Sequence, residues 1–250
     1  EHLKVLFNTC YGRELSEQVW RHYYVDNPFG PSFSITAWSD GRLVGHYGAI
    51  PQLALNSSGT RRKYALGLTL AVLAEVRKQG VFARLMAEMA NIARCRGYDF
   101  LLGFPNDKSW VPLSVFCGWK LLHGSAMNLV PVGEIEGEVD SLKEEWIIPP
   151  SGFSPPYTDK EYMSWRSRFS PIYSFIADNK IVIICKAYSN QTLDILDVYK
   201  LKEGDGIVYQ AALKTIASHL KCAQICITER HAEILGIAGK CLRPFGHTVR

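Results

Sequence analysis

The hydrophobic pattern of the chain is organised around one stretch, Leu66 to Lys120. An apolar run from Leu66 to Val72, rich in Leu and Val, predicts a strand buried on both faces. A short charged turn, Glu75 to Gly80, interrupts it. The period then changes: Phe82, Leu85, Met86, Met89, Ala90 and Ala93 recur at helical spacing, with Arg84 and Glu88 on the opposite face. Gly97 ends this helix, and a second apolar run follows from Tyr98 to Phe104. Strand, turn, helix and strand in that order predict a crossover joining two parallel strands.

On the N-terminal side, Ser16 is placed to cap a helix through Glu17, Val19, Trp20 and Tyr23, which Asn27-Pro28-Phe29-Gly30-Pro31 must end. Phe33 to Ser39 and Arg42 to Tyr47 flank Asp40-Gly41 as a hairpin. Ile50 to Asn56 and the strand entered at Arg61 form a second hairpin around Ser57-Ser58-Gly59. An antiparallel meander therefore precedes the crossover. Beyond Asn106, Ser109 to Phe116 reads as a short helix limited by Pro112, and Trp119 to Val130 as a closing strand pair.

Composition changes next. Gly133 to Glu145 is acidic, and a Pro-rich run from Pro149 to Pro156 follows, so residues 133–157 read as a linker between a domain at 1–132 and one at 158–250. Thr158-Asp159-Lys160-Glu161 has the form of a capping box before a helix with Tyr162, Trp165 and Phe169. Three strands are predicted at Ile172 to Ala177, Lys180 to Tyr188 and Thr192 to Tyr199. A helix from Ile207 to Leu220, a strand from Ala223 to Thr228 and a helix from Ala232 to Ala238 complete the pattern. The order of elements repeats that of the first half without a residue-level repeat.

Composition narrows the partners. A hydrophobic share of 47% over 250 residues permits a substantial core, and a net charge of +4 does not argue for nucleic acid. The seven cysteines, Cys10, Cys95, Cys117, Cys185, Cys222, Cys226 and Cys241, are odd in number and scattered, as for free thiols in a reducing compartment. Cys222 and Cys226 lack a second pair or nearby histidines, so no metal site is expected. No apolar run is long enough to span a bilayer, and no secretory signal is visible in a sequence that begins at Glu1 rather than Met. A cytoplasmic protein without membrane contact is the expectation; nothing in the sequence sets its oligomeric state.

The turn Arg77-Lys78-Gln79-Gly80-Val81-Phe82-Ala83 carries the clearest chemistry. The first amides of a helix lack intrahelical partners, and the helix dipole concentrates partial positive charge there. Gly80 lets an anion approach the backbone, and Arg77 and Lys78 add charge at the rim, so the turn suits a pyrophosphate. The same residues would also make an ordinary solvated basic turn. In the second half, Lys202-Glu203-Gly204-Asp205-Gly206 occupies the corresponding place with two acids and no Arg, which would repel a pyrophosphate.

The arrangement resembles the GNAT superfamily of acyl-CoA N-acyltransferases. That family's signature is a strand, then Arg or Gln, two residues, Gly, one residue, and Gly or Ala opening a helix. Arg77 and Gly80 fit it, Phe82 stands where Gly or Ala is usual, and Ala83 follows one place later. Asn106 and Gly118-Trp119 resemble the family's Asn and Gly-aromatic positions, and the resemblance runs from about Phe33 to Leu129. It implies an α/β (α+β) fold, a GNAT-like mixed sheet with a βαβ acyl-CoA unit, followed by a second, degenerate GNAT-like half. It implies acetyl-CoA or another short acyl-CoA as co-substrate, with no metal. The backbone of Leu70, Ala71 and Val72 would pair with the pantetheine arm, and the Val72 amide would polarise the thioester carbonyl. Arg77, Lys78, Gln79, Gly80, Val81, Phe82, Ala83 and Asn106 would complete the cofactor site.

The expected reaction is transfer of the acyl group to a primary amine of a small molecule, with an amino sugar as an analogy. His46, on the meander, has a side chain suited to take the amine proton near neutral pH, although a lone strand histidine also serves as core. Glu75 sits where the resemblance puts a Glu that is usually not the base. The family's usual general-acid Tyr is replaced by Ser114. Two other readings stay open: an aminoacyl or acyl-carrier-dependent transferase on the same fold, and a CoA-binding scaffold without catalysis.

Overall fold

A computed structural model describes residues 1–55, 60–105, 107–120, 127–137, 139–145, 160–169, 171–188, 191–202, 206–237 and 243–246. The chain forms two compact units, one built on Glu1–Leu121 with Ser151–Trp165, the other on Leu122–Pro150 with Arg166–Thr248.

The first unit begins with helices α1 (His2–Tyr11) and α2 (Glu17–Tyr24), continues through strands β1 (Phe33–Ser39), β2 (Arg42–Leu55) and β3 (Arg61–Val72), and crosses by α3 (Val81–Cys95) to β4 (Phe100–Leu102) and α4 (Asp107–Phe116). Ser16 caps α2 as expected, its Oγ accepting the Val19 N–H at 3.4 Å. Among the described residues the sheet runs β1-β2-β3-β4. The first two pairings are antiparallel, and β3 and β4 are parallel, as the crossover pattern requires. The second hairpin does not begin afresh at Ile50: β2 runs unbroken from Arg42 to Leu55. Pro51 is tolerated inside it because β1 pairs no further than Ala49, leaving one edge of β2 without a ladder at that point.

The helical period of α3 places Leu85, Met86, Met89 and Ala93 against Phe33, Tyr47, Ala49 and Ala65. A further cluster joins Leu6 of α1 to Leu43, Val44, Ala71 and Leu73. Each such Leu or Met contributes about 1.5–3 kcal/mol by leaving water. The run Leu66–Val72 is not buried on both faces: only Ala71 within it is buried, at 4% exposure. The reason lies in β4, which is short and pairs with β3 only at Tyr64, Ala65 and Leu66.

The second unit contains β5 (Met127–Pro131), β6 (Leu142–Glu144), the end of α5 (Lys160–Ser167), and then β7 (Ile172–Ala177), β8 (Ile181–Ala187), β9 (Thr192–Lys200), α6 (Gly206–His219), β10 (Gln224–Thr228), α7 (Glu229–Ile234) and β11 (Arg243–Gly246). Its sheet runs β11-β5-β10-β9-β8-β7-β6 among the described residues. Strands β7, β8 and β9 form a meander, and α6 carries β9 across to a parallel β10, the same sequence of pairings as in the first unit. The strand expected to close the first half, β5, instead pairs with β10 and β11. Residues 133–145, linker-like by composition, carry β6 paired to β7 and bury Ile135 at 1% exposure. Residues 160–165 of α5 belong to the first unit. There the Trp165 indole N–H donates to the His22 carbonyl at 2.8 Å, and Tyr162 stacks on Phe29 with ring centroids 5.2 Å apart. Thr158, expected to cap α5 opposite Glu161, lies outside the described residues together with Asp159, as do Glu203, Gly204 and Asp205. Among the described residues, no helix is long and apolar enough to cross a membrane.

Candidate active site

Because β4 pairs only as far as Leu66, the edge of β3 from Gly67 to Val72 has no strand beside it on that side among the described residues. Leu73 donates its N–H to the Val44 carbonyl of β2 at 3.0 Å. Strand alternation therefore turns the N–H and C=O of Val72 towards the open edge. Arg77 meets Val72 there, its Nε donating to the Val72 carbonyl at 3.2 Å. The Cys10 thiol of α1 lies beside the same backbone: burial raises its pKa, while the Arg77 charge and a hydrogen bond from Val72 pull it down.

The turn after β3 is held by its own backbone. A 3-10 turn at Ala74–Val76 leads into it, and Gln79 donates its side-chain N–H to the Glu75 carbonyl at 3.1 Å. Glu75 itself pairs with Arg42 at 2.8 Å, both side chains being more than half exposed, so this pair contributes at most about 1 kcal/mol. Lys78 and Gly80 both have positive φ, 71° and 80°. Gly80 caps α3 in the left-handed region, and a Cβ built there meets nothing within 4 Å. Its carbonyl takes the first intrahelical bond, from the Arg84 N–H at 3.0 Å. No side chain caps α3 and no acid stands in its first turn, so the amides of Val81, Phe82 and Ala83 point off the helix end without an intrahelical acceptor. The Val81 and Phe82 side chains pack towards the core, which leaves backbone, not side chain, as what these residues can offer an anion. The Arg77 side chain, turned back onto the Val72 carbonyl, is exposed in the turn that leads into this helix end. If this turn holds the pyrophosphate that the sequence resemblance implies, Arg77→Ala should weaken acetyl-CoA binding by about 1–3 kcal/mol, the range for a hydrogen bond to a charged group, as read by isothermal titration.

At the other end of the open edge the ladder is irregular. His46 faces Ala71 and Gly48 faces Leu68, so two residues of β3, Thr69 and Leu70, oppose the single Tyr47 of β2. Thr69 stands at φ 46°, an uncommon place for a β-branched residue. Three side chains from three elements hold this bulge. The Tyr11 hydroxyl of α1 donates to the Leu70 carbonyl at 2.8 Å. The Tyr24 hydroxyl of α2 is hydrogen-bonded to the Thr69 hydroxyl. His46 Nδ1 lies 3.0 Å from the Thr69 carbonyl. A carbonyl only accepts, so Nδ1 must carry the proton, and Nε2 keeps its lone pair. Burial, with His46 only 2% exposed, lowers its pKa, and the Thr69 hydrogen bond acts against this. The imidazole is therefore neutral and basic at Nε2 at neutral pH. Burial also pushes Tyr24 up to about 12, so its phenol stays protonated throughout the working range.

The structure thus brings His46 to the strand that carries Leu70, Ala71 and Val72, with Arg77 to Ala83 at the end of the same strand; Asn106 lies outside the described residues. The Ser114 Oγ donates to the Val111 carbonyl of its own helix at 3.1 Å. Tyr11, Tyr24 and Thr69 carried no catalytic signal of their own in the sequence. The available clue was Gly67 inside the predicted strand Leu66 to Val72, since glycine in a strand marks a bulge or a close approach; Gly48 fell between two predicted strands and lies inside the continuous β2. A Cβ at Gly48 would lie 2.5 Å from the Tyr24 hydroxyl oxygen, and one at Gly67 would fall against the Tyr47 hydroxyl oxygen.

Residues 1–120 match the family model described as an acetyltransferase (GNAT) domain. This part of the chain is a GNAT acetyltransferase domain, and the GNAT acetyltransferases are a family of enzymes that use acyl-CoA to acylate amines. No curated protein matches the sequence. Among solved structures, a probable N-acyltransferase from Enterococcus faecalis V583 superposes with a TM-score of 0.65 at 12% identity, covering 99% of this chain and 68% of that one. A GCN5-related N-acetyltransferase from Anabaena variabilis gives 0.65 at 14%, again over 99% and 68%. The glucosamine N-acetyltransferase region of a fungal multi-domain GH3 β-N-acetylglucosaminidase gives 0.66 at 12%, over 99% of this chain and 36% of that one. At these identities the likeness speaks for the fold, and it is the GNAT fold over nearly the whole chain.

Proposed function

We propose that this protein moves an acetyl or other short acyl group from acyl-CoA to the primary amine of a small molecule. The observation that carries the reading is the open edge of β3, which runs from the Thr69–Leu70 bulge to the uncapped start of α3 beside Arg77 and Lys78. The pyrophosphate sits on the amides of Val81, Phe82 and Ala83, where Gly80 leaves room and the dipole favours negative charge. The pantetheine arm runs back along Leu70, Ala71 and Val72 and delivers its thioester to the bulge. There His46 Nε2 takes the proton from the attacking amine, and the Val72 amide, which the Cys10 thiol must first release, steadies the oxyanion. Holding the two reactants together adds several kcal/mol of rate enhancement, about 7–11 in well-oriented systems. The second unit supplies no cofactor site in this reading. Amino sugars head the acceptors to try, because one fold relative is a glucosamine N-acetyltransferase region.

The test is release of free CoA thiol from acetyl-CoA, followed with a chromogenic disulfide, across a panel of amino sugars, amino acids, polyamines and aromatic amines. At least one amine should raise release well above hydrolysis and yield the N-acetyl product by mass spectrometry. Binding of acetyl-CoA without acetylation of any panel amine would contradict the reading.

A further inference from the structure

An acyltransfer from a thioester needs a proton for the departing sulfur as well as a base for the amine. Ser114 cannot supply it while its hydroxyl is turned back onto the Val111 carbonyl. The open edge of β3 is bounded at one end by β4 at Leu66 and at the other by the phosphate turn. A pantetheine arm anchored at that turn and laid along the edge brings its sulfur to the bulge at Thr69 and Leu70. From Val72 to Thr69 is about 10 Å of strand. Three hydroxyl groups gather there: Tyr11 donates its own to the Leu70 carbonyl, while those of Thr69 and Tyr24 are bonded to each other.

We infer that Thr69 and Tyr24 form the proton relay to the leaving thiolate, Thr69 touching the sulfur and Tyr24 recharging Thr69 from behind. This assignment rests on the acyltransferase reading of the site. The amine nitrogen attacks the thioester carbon, forming the C–N bond, and its proton passes to His46 Nε2. The tetrahedral adduct collapses, the C–S bond breaks, and its electron pair leaves on the CoA sulfur. The Thr69 hydroxyl gives its proton to that sulfur and receives one from the Tyr24 phenol. The Tyr24 phenolate then recovers a proton by way of water, and His46 releases the amine's proton to water, so the products are an amide and free CoA thiol.

The fold is arranged to keep these two hydroxyls in contact. Tyr24 is only 7% exposed, and its hydroxyl occupies the space that a side chain at Gly48 would fill. Trp20 stacks on the Tyr24 ring, with centroids 5.7 Å apart and planes 9° from parallel, which holds the phenol in place. The Thr69 carbonyl partners His46 while its hydroxyl partners Tyr24, so base and acid are referenced to one residue. The positive φ of Thr69 accompanies this arrangement, as uncommon backbone states often do at reactive sites.

The experiment compares wild type, Tyr24→Phe, Thr69→Val and Thr69→Ser, using acetyl-CoA and, in parallel, the acetyl thioester of 4-nitrothiophenol, with glucosamine and the most active panel amine as acceptors. With acetyl-CoA, Tyr24→Phe and Thr69→Val should lose about 10²-fold or more in kcat with little change in KM for acetyl-CoA. Thr69→Ser, which keeps the hydroxyl, should recover most of the rate. With the nitrothiophenyl ester, whose thiolate leaves without a proton, the defects of Tyr24→Phe and Thr69→Val should shrink to a few-fold. A purely structural role would depress both esters alike, and that result overturns the relay, as does wild-type turnover that Tyr24→Phe retains with acetyl-CoA. Wild type that binds acetyl-CoA yet acetylates no amine overturns the acyltransferase reading, and the relay falls with it.

Discussion

Gly80→Glu should abolish acetyl-CoA binding and leave a folded protein. Among the described residues nothing lies within 4 Å of the Cβ position at Gly80, so a glutamate side chain can leave the backbone there. Its cost to the fold is the left-handed backbone at φ 80°, about 1–2 kcal/mol for an L-residue. Its effect on the ligand is far larger, because a carboxylate then stands where the amides of Val81, Phe82 and Ala83 would receive a doubly charged pyrophosphate. Gly80→Asn separates the two effects, since asparagine accepts the left-handed region and adds no charge. It should keep measurable binding, weakened by steric crowding alone. Titration calorimetry and the ligand-free melting temperature, taken on both variants, check the prediction. Normal acetyl-CoA affinity in Gly80→Glu would place the phosphates elsewhere.

His46→Gln should lower kcat/KM by about 10²- to 10⁴-fold while acetyl-CoA affinity stays nearly unchanged. Glutamine can still donate to the Thr69 carbonyl, so the bulge is preserved while the lone pair at Nε2 is lost. The pH dependence gives a second readout. Burial depresses the folded-state pKa of His46 below 6.5. The acid limb of wild-type kcat/KM should therefore lie below the value of free histidine, and it should vanish in His46→Gln. Linkage adds a stability signature of the same group. Above pH 6.5 both folded and unfolded states hold His46 neutral, and it contributes no pH dependence. As pH falls below 6.5 the unfolded state binds a proton that the folded state refuses, so stability drops until the pH passes the folded value. His46→Gln removes that slope. If the variant loses stability yet turns over at the wild-type rate per folded molecule, His46 is a packing residue and the amine proton goes to water.

The crossover of the first unit was legible because its two periods are unmistakable: apolar β3, then Leu85, Met86, Met89 and Ala93 one helical face apart, with Gly80 and Gly97 as punctuation. The turn into α3 was legible for the same reason, since a helix start and a glycine are local facts. Strand partnership was not. Met127–Pro131 is a good strand in either unit, and only its pairing with Gln224–Thr228, almost a hundred residues on, decides which sheet it joins. Composition misled at Leu142–Glu144, where two charged residues follow a leucine on a short edge strand of the kind in which charge is common. The cluster at the bulge was hidden by distance and by register. Tyr11, Tyr24, His46 and Thr69 come from four elements, and the bulge exists only because β3 has two residues where β2 has one. His46 was singled out by its chemistry, but the groups that fix its tautomer could not be.

The central claim is that this chain binds one acyl-CoA, at the turn from β3 into α3. Calorimetric titration of acetyl-CoA into the intact protein, with the melting temperature recorded in the same samples, tests it most directly. The account predicts one equivalent per chain and a melting temperature that climbs with ligand, by about 2.7 kcal/mol of added stability at a hundred times the dissociation constant. Two equivalent sites per chain, or neither heat nor a shift at millimolar acetyl-CoA while a control GNAT enzyme responds, would contradict it.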